Sequence, residues 1–404
     1  MPSPNHPAAP QPPSPIDGLR MAIAHEWFDK HAGSERVVEQ ILNRYPAADL
    51  FSLVDFLPPE QRGFIQHKPI TTSFLQSLPG ARRHFRQYLP LMPLAIEQLD
   101  FSGYDIIISS HHAVAKGIIT RADQLHISYV HTPLRYGWDL QHQYLANMGT
   151  AKGAIARIIL HYLRLWDIAS AHRVDYFIAN SRTVARRIQK TYRRPAQVVY
   201  PPVDVERFTP SSQRDDYYVV LSRFVPYKRV DLIVAAFAKL GLPLVVIGDG
   251  PDAAKIRRLA TPNIQLLPPQ PEAVVTDYLN RCKAFVYAAE EDFGIAAVEA
   301  QAAGAPVIAY GRGGVTETVI PNKTGILFSH QTVDSLMKAV LAYDSDPKQF
   351  RVEDMRYNAE RFSPGQFHQN LTTVVEQAWH HFHAVDGIPG DVPIRISNGI
   401  ETSP

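Results

Sequence analysis

Two glutamates eight residues apart, Glu291 and Glu299, stand in EEDFGIAAVEAQAAGAPVIAYGRGG (290–314). The first follows the apolar run AFVYAA (284–289). The second lies inside IAAVEAQAAG (295–304), whose residue types predict a helix. Glu291 then sits at the carboxyl end of a strand, and Glu299 about one turn into a helix of roughly 3.6 residues per turn. Between them the helix N-terminus offers unpaired N–H groups and a partial positive charge, a setting for an anion such as a diphosphate. A sugar nucleotide carries a sugar on one side of its diphosphate and a ribose on the other, so each carboxylate would have hydroxyls to accept from. A capping acid followed by a solvent-facing helical glutamate is the other reading of the pair.

Cations stand nearby in the chain. LSRFVPYKRVDL (221–232) places Arg223 and Lys228 on the loop after another apolar run. A planar fork and a point charge both suit phosphate oxygens; a solvated basic loop is the plainer alternative. VVIGDGP (245–251) has glycines at 248 and 250, where backbone must come close to something. Ala253 stands where a third glycine would be, so a dinucleotide fingerprint is not met. Of the 17 histidines, His131 ends HISYVH, His111 and His112 follow YDIIISS and are placed to face a cleft, and His25 ends LRMAIAH. No GxSxG elbow or Ser-His-Asp order is present, so a hydrolase triad has no support. DSD (344–346), ahead of Pro347, reads as a turn rather than a metal-binding triplet.

The elements that must position these groups alternate between strand and helix. LRMAIAH (19–25), YDIIISS (104–110), HISYVH (126–131) and DYFIAN (175–180) are apolar runs of the kind found in strands buried on both faces. SERVVEQILNRY (34–45) has helical spacing. After QVVYPPVD (197–204) the pattern restarts with YYVVLSR, VDLIVAAFAKL, LPLVVIGDG, AFVYAA and PVIAYG. The fold class expected is α/β, two doubly wound parallel-sheet domains facing a cleft, with ligands beyond the carboxyl ends of the strands. The 404 residues suffice for two domains. A net charge of +2 argues against nucleic acid as a partner, and a single cysteine excludes an internal disulfide and a cysteine-rich metal site. No apolar run approaches the roughly 18 residues of a membrane span. MPSPNHPAAPQPPSP has seven prolines in fifteen residues, which predicts an extended tail without a secretory signal.

The ordered set GSERVV, SRFVPYKRVD, VIGDGP, EDFGIAAVEAQAAGAPVIA and GRGGVTETV resembles the retaining glycosyltransferases of family 4, with the GT-B fold, over residues 21–385. With HEW, HTPLRYGWD and VPYKRVD the chain is most similar to bacterial mannosyltransferases that build polysaccharides and O-antigens. The resemblance implies a donor such as GDP-mannose, no metal ion, and a role for each residue. Glu291 would contact the donor sugar near the reacting carbon, and His131 would stand beside that sugar. Glu299 would hold the ribose hydroxyls. Arg223 and Lys228 would clamp the diphosphate, with the amides around Phe293, Gly294 and Ile295. Gly33 would let the first loop approach the phosphate. His111, His112 and Arg135 are candidates on the acceptor side. The chain departs from the family in having Ala32-Gly33 for a glycine pair, Ala288-Ala289 for Pro-Ser, and Asp292 where EGFG is common.

The resulting division is a Pro-rich tail (1–18), an acceptor-side domain (19–198), a nucleotide-sugar domain (199–364), a last helix crossing back to the first domain (365–385) and a second tail (386–404). Family members extend sugars on lipid carriers, so a glycan or lipid-linked acceptor and a cytoplasmic place at the inner face of the membrane are expected. ARRHFRQYLPLMPLAI (81–96) and SRTVARRIQKTYRR (181–194) combine bases with apolar residues, compatible with an anionic surface or with a solvated helix face. IARIILHYLRLWDIA (155–169) reads as a core or interdomain helix. A UDP-sugar donor, a non-catalytic sugar-nucleotide-binding protein, and a nicotinamide-linked oxidoreductase lacking its fingerprint are the competing readings.

Overall fold

The computed structural model describes residues 15–145 and 148–384; residues 1–14 of the first expected tail and all of the second lie outside the described residues. Seven strands form the first sheet: β1 (Met21–Phe28), β2 (Asp49–Asp55), β3 (Ile70–Thr72), β4 (Ile106–His111), β5 (Leu125–Val130), β6 (Tyr176–Ala179) and β7 (Gln197–Val198). Their order is β3-β2-β1-β4-β5-β6-β7, all parallel, with Ile23 beside both Leu50 and Ile108. Every residue of β4 and β5 is buried, because helices cover both faces, and this is why those strands are almost uninterrupted apolar runs.

The second sheet contains β8 (Tyr218–Leu221), β9 (Leu244–Ile247), β10 (Ile264–Leu267), β11 (Ala284–Tyr287), β12 (Val307–Tyr310) and β13 (Gly325–Phe328), ordered β10-β9-β8-β11-β12-β13. In each sheet the strand order reverses beside one strand, β1–β4 and β8–β11, and loops leaving the carboxyl ends there open a crevice.

The helices that matter for the site are α1 (Gly33–Arg44), α2 (Met92–Glu97), α3 (Thr150–Ala171), α4 (Arg182–Tyr192), α5 (Val230–Leu240), α6 (Glu272–Arg281), α7 (Ile295–Ala302), α8 (Val315–Thr318) and α9 (Pro364–Ala384). The last one returns to the first lobe. Its Phe367, Leu371, Val374 and Val375 share a core with Ile23, Val37 and Ile41, and Arg44 Nε donates to Thr372 Oγ1 at 2.6 Å. Burial of four such side chains stabilises by about 1.5–3 kcal/mol each, so α9 fastens the second lobe to the first.

Two expectations need correction. Asp344 and Ser345 end a helix rather than forming a turn, and Asp346 is its C-cap. Asp344 is bound by Tyr218 Oη at 2.6 Å and by Lys283 Nζ at 2.7 Å, which accounts for its carboxylate structurally. Helix α3 is a core helix on one face only: Leu160 and Leu163 enter the core of the first lobe, while Ile155, Ile158, Tyr162 and Leu165 face solvent.

Candidate functional site

A cavity of about 290 Å³ lies between the lobes. From the first lobe Gly33, His131 and Asn180 line it; from the second come Lys228, Glu291, Asp292 and the stretch Phe293, Gly294, Ile295. Leu221 also lines it, and the same Leu221 lines a second cavity of about 440 Å³ that contains Arg223, Asp249 and Gln270. The two lie on either side of Leu221, at the carboxyl end of β8.

Backbone approach shapes the surroundings of both cavities. A Cβ on Gly248 would come within 1.9 Å of Ser222 O, and one on Gly250 within 2.4 Å of Phe224 O. The glycines of GDG therefore let that loop pack against the backbone carrying Arg223. On the other side a Cβ on Gly313 would meet Glu291 O at 2.4 Å, and Gly314 N donates to Glu291 O at 2.8 Å. The GRGG turn thus buttresses the loop that presents Glu291.

Lys228 Nζ donates to Glu291 Oε1. Removal from water pushes the Glu291 carboxyl up to about 7, against the pull of the Arg135 guanidinium. The same burial, joined by repulsion from Arg135, pushes the Lys228 ammonium down to about 8. Both groups thus change charge close to neutrality, as acid–base or charge-stabilising groups in clefts do. Arg135 itself lies 3.8 Å from Asp292 and 3.4 Å from Asp139. Asp292, where the family often has glycine, is held by Arg187 of α4, so it ties the glutamate loop to the first lobe.

Glu299 is almost covered, its side chain 7% exposed. Its Oε1 accepts from Arg36 Nη1 of α1 at 3.0 Å and from Arg207 Nη2 at 2.6 Å. Glu272 of α6 binds the same two arginines. Neither arginine was legible as a site residue. A further inter-lobe contact is made by Glu317 of α8, which accepts from the N–H groups of Arg182 and Thr183 at 2.7 and 2.9 Å and so caps α4 from the opposite lobe.

The histidines separate by environment. His131 lines the cavity, and its Nε2 is 2.8 Å from Ser110 Oγ. Ser110 Oγ is 3.1 Å from His25 Nδ1, and His25 Nε2 is 3.5 Å from Glu35 Oε1. Burial raises the Glu35 carboxyl, but hydrogen bonding and charge from His25 prevail and hold it at about 2. Burial, with the charges of His112 and His25, lowers His131 to about 3, so it is a neutral ring at physiological pH. Ser110 Oγ thus bridges the two rings, within hydrogen-bond distance of His25 Nδ1 and of His131 Nε2.

His111 is completely buried against Glu26, 3.4 Å away, and does not line the cavity. His112 pairs with Glu26 Oε2 at 3.0 Å, with its ring 6.3 Å from that of His131. Glu26 is a fully buried carboxylate that accepts from the N–H groups of His112, Ala113, Val114 and Ala115 at 2.7–3.3 Å. Burial works to raise it, yet the charge of His112 and hydrogen bonds from His111 and His112 keep it well below the carboxylate range. It fixes the loop after β4 at the cleft floor. An acid inside MAIAHEWF, whose other residues apart from His25 are apolar, was the signal for it, since a buried charge requires partners.

Residues 32–207 match the family described as Glycosyltransferase Family 4, and residues 204–362 the one described as Glycosyl transferases group 1. Among curated relatives, the D-inositol 3-phosphate glycosyltransferase of Kribbella flavida is 31% identical over 208 residues, covering 43% of this chain and 49% of that protein. The GDP-mannose-dependent alpha-(1-6)-phosphatidylinositol monomannoside mannosyltransferase of Mycobacterium tuberculosis is 35% identical over 174 residues, 35% of this chain and 44% of that protein. The matched stretches thus span about half the length of these relatives. Among solved structures, Anabaena HepE in complex with UDP superposes with a TM-score of 0.65 at 16% identity over 89% of this chain and 100% of that one. Sucrose-phosphate synthase from Thermosynechococcus elongatus gives 0.67 at 18% identity over 89% and 99%. The fold is GT-B, and with two adjoining family matches that together run from residue 32 to residue 362, the chain belongs to the group 1 glycosyl transferases, glycosyltransferase family 4.

Proposed function

We propose that the protein is a retaining glycosyltransferase that moves a hexosyl group, mannose from GDP-mannose, to a glycan or lipid-linked acceptor in polysaccharide or glycolipid synthesis. The observation that carries this reading is the Lys228–Glu291 pair, set in one cavity with His131 and the start of α7. In it the diphosphate lies against the N–H groups of Gly294 and Ile295, with Lys228 and Arg223 as its cations. The bond from the anomeric carbon to the phosphate oxygen breaks. A bond to the acceptor hydroxyl forms on the same face, and the hydroxyl proton passes to the departing phosphate. Positive charge on the anomeric carbon is met by Glu291, and negative charge on the diphosphate by the protein's own cations and helix dipole, without a metal ion. Glu299 accepts from the ribose through the oxygen its arginines leave free, and the larger cavity beside Arg223 takes the base. His131 orients the transferred sugar, while His112 and Arg135 stand on the acceptor side; His111 supports them from beneath.

The mannosyl donor is supported by the M. tuberculosis relative named above. A UDP-sugar is the second reading, favoured by the likeness to HepE, which is described with UDP and with UDP-glucose. A cytoplasmic place beside the inner membrane belongs to the same proposal, since a lipid-linked acceptor would be met there. Incubation with labelled GDP-mannose and UDP-glucose, with and without lipid extracts, tests it. Transfer of label that disappears in Glu291→Ala supports the assignment, and donor binding without turnover on any acceptor supports a non-catalytic protein instead.

A further inference from the structure

The polar side chains that line the cavity of about 290 Å³ between the lobes are His131, Asn180, Lys228, Tyr287, Glu291 and Asp292. All but one have protein partners. His131 Nε2 is 2.8 Å from Ser110 Oγ, Asn180 Nδ2 donates to His131 O at 2.9 Å, Lys228 donates to Glu291, and Arg187 donates to Asp292. Tyr287, the last residue of β11, is the exception. It is 5% exposed, and its hydroxyl is buried with no hydrogen-bond partner among the described residues. A hydroxyl taken out of water and left unpaired is destabilising, and a phenylalanine would fill the same space without that cost. The ring has the apolar company it needs. It stacks on Phe285 with centroids 6.2 Å apart and belongs to the core that contains Phe293 and Ala297. Packing thus accounts for the ring and leaves the hydroxyl unexplained.

The hydroxyl stands beside the start of α7. A Cβ on Gly294 would lie 3.5 Å from Tyr287 Oη, its nearest neighbour. Gly294 is the N-cap, with a φ of 93°, and no side chain caps the helix. Ala297 N donates to Gly294 O at 3.0 Å, and the N–H groups of Ile295 and Ala296, which precede it, have no place in the helical ladder. Gly33 of the first lobe faces this turn, since a Cβ there would come 3.4 Å from Ile295 Cδ1. The N–H groups and the Lys228 ammonium on the same cavity are donors, and a phenolic O–H donates as well. One anion with several oxygens would satisfy all of them.

We propose that Tyr287 is a further donor-binding residue, its hydroxyl donating to an oxygen of the phosphate that carries the transferred sugar. The proposal rests on the glycosyltransferase reading. Tyr287 lines the cavity of Glu291 and His131 and not the one of Arg223, where the base is proposed to lie. The phosphate within its reach is therefore the one nearer the sugar. The hydrogen bond gains strength as the bond to the anomeric carbon breaks and its electron pair stays on the phosphate oxygen. The hydroxyl keeps its proton throughout.

Calorimetric titration of GDP, GMP, UDP and UMP into the wild type and into Tyr287→Phe, together with the melting temperature of each unliganded protein, tests this. The expected result is that the diphosphate bound by the wild type loses about tenfold in affinity in the variant, while the matching monophosphate binds both proteins to within about twofold. The unliganded variant should melt at the same temperature or higher, because it sheds an unpaired hydroxyl and keeps the ring. Equal diphosphate affinity in the two proteins, as when the hydroxyl serves only a buried water, would overturn the proposal. So would an equal loss for monophosphate and diphosphate. A clear drop in the melting temperature of the unliganded variant would overturn it too, by showing that the hydroxyl has a structural partner. A wild type that binds none of the four nucleotides would overturn the donor-site reading itself, and the proposal with it.

Discussion

Arg36, in the first turn of the first lobe's helix α1, donates to Glu299 of the second lobe at 3.0 Å, and the carboxylate it meets is nearly sealed from solvent. The contact joins the lobes at the point where the ribose is proposed to lie. Replacing Glu299 with Gln keeps the shape but removes the charge that Arg36 and Arg207 share. Hydrogen bonds to charged groups are worth about 1.5–3 kcal/mol, so donor affinity should fall about 10- to 100-fold by calorimetry. Arg36→Ala removes the cross-cleft arm alone and should weaken donor binding by less than that. Unchanged affinity in Glu299→Gln would remove the ribose role.

The Lys228–Glu291 pair predicts a pH profile. Glu291 is a carboxylate only above about 7, and Lys228 an ammonium only below about 8. The proposed chemistry uses both charged forms. The value of kcat/KM should therefore rise toward pH 7, peak between 7 and 8, and fall above that. Glu291→Gln should flatten the acid limb while cutting turnover. A profile level from pH 5.5 to 9 would show that neither group acts in its charged form.

The burial of the His131 ring predicts its titration. Nitrogen-15 spectra of His131 should show a neutral ring titrating far below pH 6. Ser110→Ala removes the hydroxyl that its Nε2 contacts. One neutral hydrogen bond is worth about 0.5–1.5 kcal/mol, so turnover should drop about 2- to 10-fold with the fold intact. A His131 ring that titrates above pH 6 in the wild type would contradict this reading.

The glycine turn against the glutamate loop predicts a coupled loss. Gly313 has a φ of 75°, and a Cβ there collides with Glu291 O. Gly313→Ala should destabilise by about 1–3 kcal/mol in denaturant unfolding and displace Glu291. Activity should fall further than stability alone accounts for. A fully active Gly313→Ala would mean that the turn does not position the catalytic loop.

How much of this was legible depends on how local each signal is. Strands buried on both faces, such as β4, β5 and β12, announce themselves as apolar runs, and VDLIVAAFAKL (230–240) coincides with α5. Edge strands β3 and β7 are three and two residues long and half exposed, so no run marks them. The glutamate pair and Lys228 lie in quoted motifs. Arg36 lies in GSERVV and Arg207 in no quoted motif, and neither showed as a site residue, because their partner Glu299 is 263 and 92 residues away in the chain. The apolar content of IARIILHYLRLWDIA predicted a covered helix, but composition carries no information about which side water is on.

Calorimetric titration of GDP-mannose and UDP-glucose into the wild type and into Lys228→Ala tests the central claim most directly. The account predicts saturable binding of one of the two, competed by its free nucleoside diphosphate and weakened about tenfold or more by loss of the lysine. Equal affinity in the two proteins, or no binding of either nucleotide sugar, would contradict it.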